Sequence, residues 1–361
     1  MTGVAVTSLS LSHFRSHTHL TLSLDERPVV LHGPNGIGKT NVLEALSFLS
    51  PGRGLRRAKT EAVGQSEAGL GWRVSALVKS GGREREVMTR SDAGASRTVQ
   101  LDGKPVPQMA LAELVPMVWL VPAMDRLWIE AAEGRRKFLD RMTLNFVTTH
   151  GRDVLAYERA MRDRNRLLKD GVRDPHWYHA LEAQMAEAGA RITQNRQRCL
   201  SEIEAAQADA TTAFPFAGLQ IEAHDGRAPL RTKGEIENTL RCNRYMDQTA
   251  GRTLDGPHRD DLAAVYVSKG TPARDCSTGE QKALLISLIL SMSRAVKSLV
   301  GQAPLVLLDE VAAHLDQERQ RALYDEICAL GAQAWMTGTG AELFQPLGER
   351  AQFIALPLDG T

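Results

Sequence analysis

Four cysteines among 361 residues, none in a C-x-x-C spacing, are too few and too scattered for a zinc ribbon or a disulfide framework. They stand at Cys199, Cys242, Cys276 and Cys328. No basic segment followed by an apolar run opens the chain, so "MTGVAVTSLSLSHF" does not read as a secretory signal. The most apolar window, Ala283–Met292 "ALLISLILSM", is about half the length a membrane span needs. An excess of one charge is missing as well: 44 Lys+Arg against 43 Asp+Glu leave a net charge of +1. A nucleic-acid partner would therefore need a local basic face. There is no internal repeat and no low-complexity tract. With 43% hydrophobic and 24% charged residues, the chain has the composition of a soluble globular protein, expected in a reducing cytoplasmic setting with no membrane partner.

What is present is organised in blocks. "VTSLSLSHFRSHTHLTLSLD" alternates as two strands with a turn near Arg15–His17. "RPVVLHG" is a short buried strand and "GKTNVLEALSFLS" a helix that stops at Pro51-Gly52. Further strands follow in "GWRVSALVKS", "REVMTRS" and "SRTVQLDGKPV", where Asp102-Gly103 signals a hairpin, and then "MVWLVP". The middle of the chain changes to a helical, Arg-rich pattern. Val154, Tyr157, Met161 and Leu168 form one stripe. Tyr178, Leu181, Met185, Ala188, Ile192 and Cys199 form a narrow seam suited to packing on a neighbouring helix. The pattern predicts an α/β domain from residues 1–122 and 244–361, interrupted by an all-helical lobe at 123–243.

Two stretches carry phosphate chemistry. Gly33-Pro34-Asn35-Gly36-Ile37-Gly38-Lys39-Thr40 matches the P-loop pattern between a buried strand and a helix. Its backbone N–H groups can turn around phosphate oxygens, Lys39 can reach the β- and γ-phosphates, and Thr40 can ligate Mg²⁺. The bland alternative is a Gly-rich turn that only caps a helix. "PLVLLDE", Pro304–Glu310, reads as a central parallel strand whose carboxyl end delivers two acids to the ligand crevice. Asp309 would hold Mg²⁺ and Glu310 would act on the attacking water, although both could merely cap the following helix. Together the two stretches predict an ATP or GTP site.

The stretch "DCSTGEQKALLISLIL" contains a capping box, Ser277 with Glu280, ahead of a buried helix. Taken with "LVLLDE" and the trailing "AAHLD" (Ala312–Asp316), it resembles the signature motif, Walker B strand and D-loop of ABC-type ATPases. The Glu after the signature glycine resembles the SMC and Rad50 branch. "LSHFRSHTHLTL", "GRRKFLDRM", "YERAMRDRNRLLKD" and "GPHRDDL" resemble the RecF family of bacterial recombinational-repair proteins over essentially the whole chain.

That resemblance implies a P-loop ABC-type ATPase head with an inserted helical lobe, using ATP and Mg²⁺. It implies an ATP-dependent homodimer in which Ser277, Gly279 and Glu280 of one copy cap the nucleotide of the other, and in which slow hydrolysis releases the pair. It also implies binding to DNA gaps and single-/double-strand junctions, RecO and RecR as partners, and promotion of RecA loading. Arg15 would lie beside the nucleotide or simply form a hairpin tip. The candidate DNA contacts are Arg135, Arg136, Arg159, Arg162, Arg164, Arg166 and Lys169, unless they pair with acids such as Glu158, Asp163 and Asp170. Arg259 is expected to pair with Asp260 or Asp261. His13, His17 and His19 read as exposed strand residues rather than a metal site. Two departures stand out. "AQAWMTGTG" offers Thr337 and Thr339 where transporters place a switch His, and Ala123-Met124 precede Asp125 where related chains carry more acids. The rival readings are a transporter ATPase subunit and a DNA-binding module with a vestigial nucleotide site.

Overall fold

The computed structural model describes residues 3–64, 71–92, 95–172, 174–224, 226, 228–312 and 315–356. Two compact units emerge: a head built from 1–125, 206–216 and 277–361, and a second unit built from 126–205 and 217–276.

The head holds two sheets. One is antiparallel, in the order His17–Ser23, Ala5–Phe14, Trp72–Ser80, Arg83–Ser91, Thr98–Leu101, Lys104–Pro105. Its strands alternate buried and exposed residues as a half-covered sheet requires. The Asp102-Gly103 turn has φ values of 50° and 74°, the two left-handed residues that a tight hairpin of this twist demands. The other sheet is wholly parallel, in the order Gln352–Ala355, Val29–His32, Ala334–Gly338, Leu305–Leu308, Met117–Leu120. Every residue of Leu305–Leu308 is buried, which is why the run is unbroken Leu and Val. Gln333 ties the two sheets together. Its Oε1 accepts from the Val6 N–H at 2.8 Å, and its Nε2 donates to the Val6 and Asp25 carbonyls at 3.0 and 2.7 Å.

The Thr278–Val300 helix is apolar and long enough by composition to cross a membrane, yet most of it is buried in the head. It packs on the Met117–Leu120 strand and the Gln317–Leu330 helix. Leu284, Leu285, Leu288 and Met292 are fully enclosed there. Each contributes about 1.5–3 kcal/mol by burial.

The second unit contains helices Ala132–Leu144, His150–Lys169, most of Pro175–Ala208, Lys233–Cys242 and Arg244–Ala250. The expected seam is real: Tyr157 and Ala160 pack against Met185, Ala188, Ile192, Ile236 and Leu240. The boundary differs from expectation, because residues 244–276 belong here and not to the head. Strand Asp261–Tyr266 pairs with Ala217–Glu222 and with Thr271–Pro272, adding a three-stranded antiparallel sheet to the helices.

The "GPHRDD" element explains why. Gly256 (φ 133°) leaves no room for a side chain, since a Cβ would lie 2.4 Å from the Tyr157 hydroxyl. Arg196 donates to the Pro257 carbonyl at 2.8 Å, and Arg136 to that of Asp260 at 2.9 Å. Asp261 takes both arms of Arg135 at 2.7 Å, so it pairs with Arg135 rather than with Arg259. The element is a junction that bonds three helices at once.

Its histidine sets a pH dependence. His258 Nε2 lies 3.2 Å from the Thr253 carbonyl, which can only accept, so Nε2 carries the proton. Nδ1 then accepts from the Tyr157 hydroxyl at 2.8 Å. Burial holds this ring down to about 4 from 6.5. The unfolded chain therefore takes up the proton first, and the stability contributed by neutral His258 is lost as pH falls from 6.5 towards 4. Burial pushes Asp260 up to about 6, with the opposite sign: its contribution is lost as pH rises from 3.8 to 6. His258→Gln keeps the Asp260 effect and removes the other. Urea unfolding should show the stability advantage of the unsubstituted chain over His258→Gln shrinking from pH 7 to pH 4.5. A constant difference would refute the assignment.

Candidate nucleotide site

The loop of residues 33–40 leaves the carboxyl end of Val29–His32 and opens the Lys39–Ser47 helix. Its glycines are needed for shape. A Cβ at Gly33 (φ 145°) would sit 2.3 Å from the Leu356 carbonyl oxygen, and Gly38 caps the helix in the left-handed region (φ 103°). Pro34, Asn35 and Gly36 are exposed, so the loop backbone is open to a ligand. Lys39 is buried and turns back into the loop, its Nζ donating to the carbonyls of Gly33 (2.6 Å) and Pro34 (2.8 Å). An ammonium held there, at a helix N-terminus, can exchange those carbonyls for phosphate oxygens.

The two acids arrive on Leu305–Leu308, with Ala334–Gly338 lying between that strand and the P-loop strand. The registers place Leu308 beside Met336 and Thr337 beside Leu31, which aligns the strand ends. Thr40 Oγ1 lies 2.9 and 3.1 Å from the two carboxylate oxygens of Asp309. Asp309 is buried. A hydroxyl and a carboxylate so close form a hard oxygen pair that suits Mg²⁺. Among the described residues no group of three or more His, Cys, Asp or Glu could hold a metal. A cation bound by Thr40 and Asp309 would thus complete its shell with phosphate and water, as Mg²⁺ commonly does.

Glu310 follows with φ 52°, a left-handed conformation that costs a non-glycine residue about 1–3 kcal/mol. Its N–H donates to Thr337 Oγ1 at 2.9 Å, and that hydroxyl donates to Asp309 Oδ1 at 2.8 Å.

The Arg15-Ser16 turn reaches the same loop. His17 Nε2 lies 3.1 Å from the Gly38 carbonyl, and Asn41 donates to Ser16 Oγ at 2.7 Å. Arg15 itself is clamped by both oxygens of the fully buried Glu44 (2.9 and 2.7 Å), which Arg56 also joins at 3.1 Å. The hairpin tip is therefore built onto the P-loop helix and is more than a solvent-facing turn.

Ser277 caps the Thr278–Val300 helix in a full capping box. Its N–H and Oγ both donate to Glu280 Oε2 at 2.8 Å. Ser277, Thr278 and Gly279 are exposed, and a Cβ at Gly279 would meet open space. One turn on, Lys282 reaches Asp125 at 3.4 Å, so the first acid after Pro122 serves the signature helix. Of the "AAHLD" stretch, Ala313 and His314 lie outside the described residues. Asp316 caps the Gln317–Leu330 helix.

The RecF/RecN/SMC N terminal domain profile matches residues 5–351. The DNA replication and repair protein RecF of Rhizobium rhizogenes is 44% identical over 367 residues, covering 99% of this chain and 98% of that protein. This chain is a member of the RecF family. RecF of Brucella suis biovar 1 is 45% identical over 361 residues, at 97% and 94% coverage. Among solved structures, the recombination mediator protein RecF-ATPrS in the RecFOR pathway matches at 23% identity with a TM-score of 0.83, covering 98% of this chain and 96% of that one. The Pyrococcus furiosus Smc head domain bound to the C-terminal domain of ScpA matches at 15% identity and 0.53, covering 95% and 92%. Both likenesses concern the fold: an ATPase head of the RecF and SMC kind.

The basic cluster offered by the sequence as candidate DNA contacts divides into two sets. Arg164 is wholly enclosed, bonded to Glu182 (3.2 Å), Asp247 (2.7 Å), Thr253 (2.8 Å) and the Leu240 carbonyl (2.9 Å). It is a buried structural cation and cannot touch DNA, contrary to expectation. Arg135 is spent on Asp261 and Arg136 on the Asp260 carbonyl. Arg159, Arg162, Arg166 and Lys169 are exposed, Arg162 with Glu158 at 4.0 Å. Arg164→Met leaves the buried Asp247 without its cation, while Glu182 keeps Arg244. It should cost about 3–5 kcal/mol in chemical denaturation, whereas Arg159→Gln should stay within about 0.5 kcal/mol. Equal effects would contradict this division.

Proposed function

We propose that the protein is an ATP-dependent DNA-binding protein of recombinational repair and replication that dimerises around shared nucleotides. The observation that carries this reading is a pairing within one head: Thr40 and Asp309 meet beside a P-loop, while the N-terminus of the signature helix at Ser277 stays exposed. Support also comes from the relatives, which are DNA replication and repair proteins named RecF, and from RecF structures holding ATP or ATPrS in the RecFOR pathway.

In this reading the P-loop amides and Lys39 bind and orient the ATP phosphates. Thr40 and Asp309 would hold Mg²⁺, which when bound would neutralise the charge that develops on those phosphates. Glu310 orients water and accepts its proton as it attacks the γ-phosphate. Ser277 and the amides around Gly279, at the positive helix end, cap the γ-phosphate held by the second copy. In isolation the Ser277 hydroxyl donates to Glu280, so capping requires it to turn from that carboxylate to the phosphate. ATP then joins two heads, and slow hydrolysis frees them. The exposed face of Arg159, Arg162, Arg166 and Lys169 supplies phosphate contacts to gapped or junction DNA. RecO and RecR are the partners this family membership points to, with RecA loading as the outcome in the cytoplasm. Thr337 and Thr339, in place of the switch His of a transporter subunit, favour this reading over that one.

Ser277→Arg tests the shared site. It should bind ATP within about two-fold of the unsubstituted chain and yet remain monomeric in light scattering with Mg²⁺-ATP. Full dimerisation would contradict trans capping. DNA affinity should fall steeply with salt, and Arg166→Gln should reduce the log–log slope by about 1. An unchanged slope would remove Arg166 from the DNA face.

A further inference from the structure

We propose that Thr337 is a positioning residue for the hydrolytic step, acting through Asp309 and Glu310; this rests on the ATPase reading above. Ala334–Gly338 is the strand between the one that carries the P-loop and the one that carries the acids. The registers that pair Thr337 with Leu31 and Met336 with Leu308 bring the Thr337 side chain level with Asp309. The side chain is fully buried, and water does not compete for its hydroxyl.

That hydroxyl has one hydrogen to give and lone pairs to receive, and both functions are used. An amide N–H can only donate, so the 2.9 Å contact from Glu310 N fixes Oγ1 as its acceptor. The hydroxyl hydrogen then goes to Asp309 Oδ1 at 2.8 Å. One side chain thus orients the carboxylate that faces Thr40 and anchors the amide of Glu310 in its left-handed conformation (φ 52°). Without the anchor, Glu310 would be free to relax to an ordinary backbone conformation and carry its carboxylate away. The strand end that bears Thr337 is closely packed. A Cβ at Gly338 would lie 2.5 Å from the Phe344 ring, so the backbone is packed directly on that ring. The sequence marks this threonine only as one of two standing where transporters place a switch His; its bonds to Asp309 and Glu310 appear only when three strands align.

Thr337→Val keeps the shape and removes both hydrogen-bonding functions; Thr337→Ser restores them without the methyl. With Mg²⁺-ATP, Thr337→Val should lower kcat by about ten-fold or more while KM stays within about two-fold. Thr337→Ser should recover kcat to within about three-fold of the unsubstituted chain. Hydrogen exchange at the Glu310 amide, read without nucleotide, should be slow in the unsubstituted chain and in Thr337→Ser and at least about ten-fold faster in Thr337→Val. Unchanged kcat and exchange in Thr337→Val would overturn the inference. So would a Thr337→Ser variant as impaired as Thr337→Val, which would assign the effect to methyl packing. Failure of the ATPase reading looks different: turnover by the unsubstituted chain would be absent or would survive Lys39→Met, and both claims would fall together.

Discussion

A hydroxyl and a carboxylate must meet across an intervening strand, and the rest of the site follows from that requirement. Thr40 begins the P-loop helix and Asp309 ends a strand two positions away in the parallel sheet. Their contact demands parallel strands in register, ended at the same level, with a helix start on one side. The apolar sheet interior supplies the register, and the glycines at 33 and 38 supply the abrupt strand-to-helix turn. A slip of one residue in Leu305–Leu308 would turn Asp309 into the opposite face of the sheet. The Gln333 bonds to Val6 and Asp25 hold the second sheet to the same frame.

Much of this was legible because the relevant signals are local. A P-loop between an apolar strand and a helix, and an apolar run ending in two acids, each carry their chemistry in adjacent residues. Asp102-Gly103 predicted its hairpin because only certain residues tolerate two left-handed conformations in a row. The Tyr157 and Met185 seam declared itself through its helical period.

What was not legible depends on partners distant in the chain. Arg164 and Arg159 stand on the same Arg-rich helix and look alike in sequence. Which of them is buried is decided by Glu182 and Asp247, far downstream. Arg97 is a similar case, buried on the carbonyls at the end of the P-loop helix, Phe48, Ser50 and Gly52. The unit boundary at 276 rather than 243 rests on strand 261–266 pairing with 217–222, a non-local event that no periodicity announces. The "GPHRDD" element offered a motif without a role until its carbonyls and carboxylates were seen to receive Arg135, Arg136 and Arg196. Those bonds stabilise the helical unit.

In the proposed reading each head is chemically incomplete: the phosphate loop, Thr40 with Asp309 and Glu310 would serve the nucleotide, and the exposed N-terminus of the signature helix would serve another copy. Sedimentation velocity of the unsubstituted chain, first without nucleotide, then with Mg²⁺-ATP, then with Mg²⁺-ADP, examines this directly. A species of twice the monomer mass that forms with ATP and dissociates with ADP is the predicted result. A chain that saturates with ATP and sediments as a monomer throughout would contradict it.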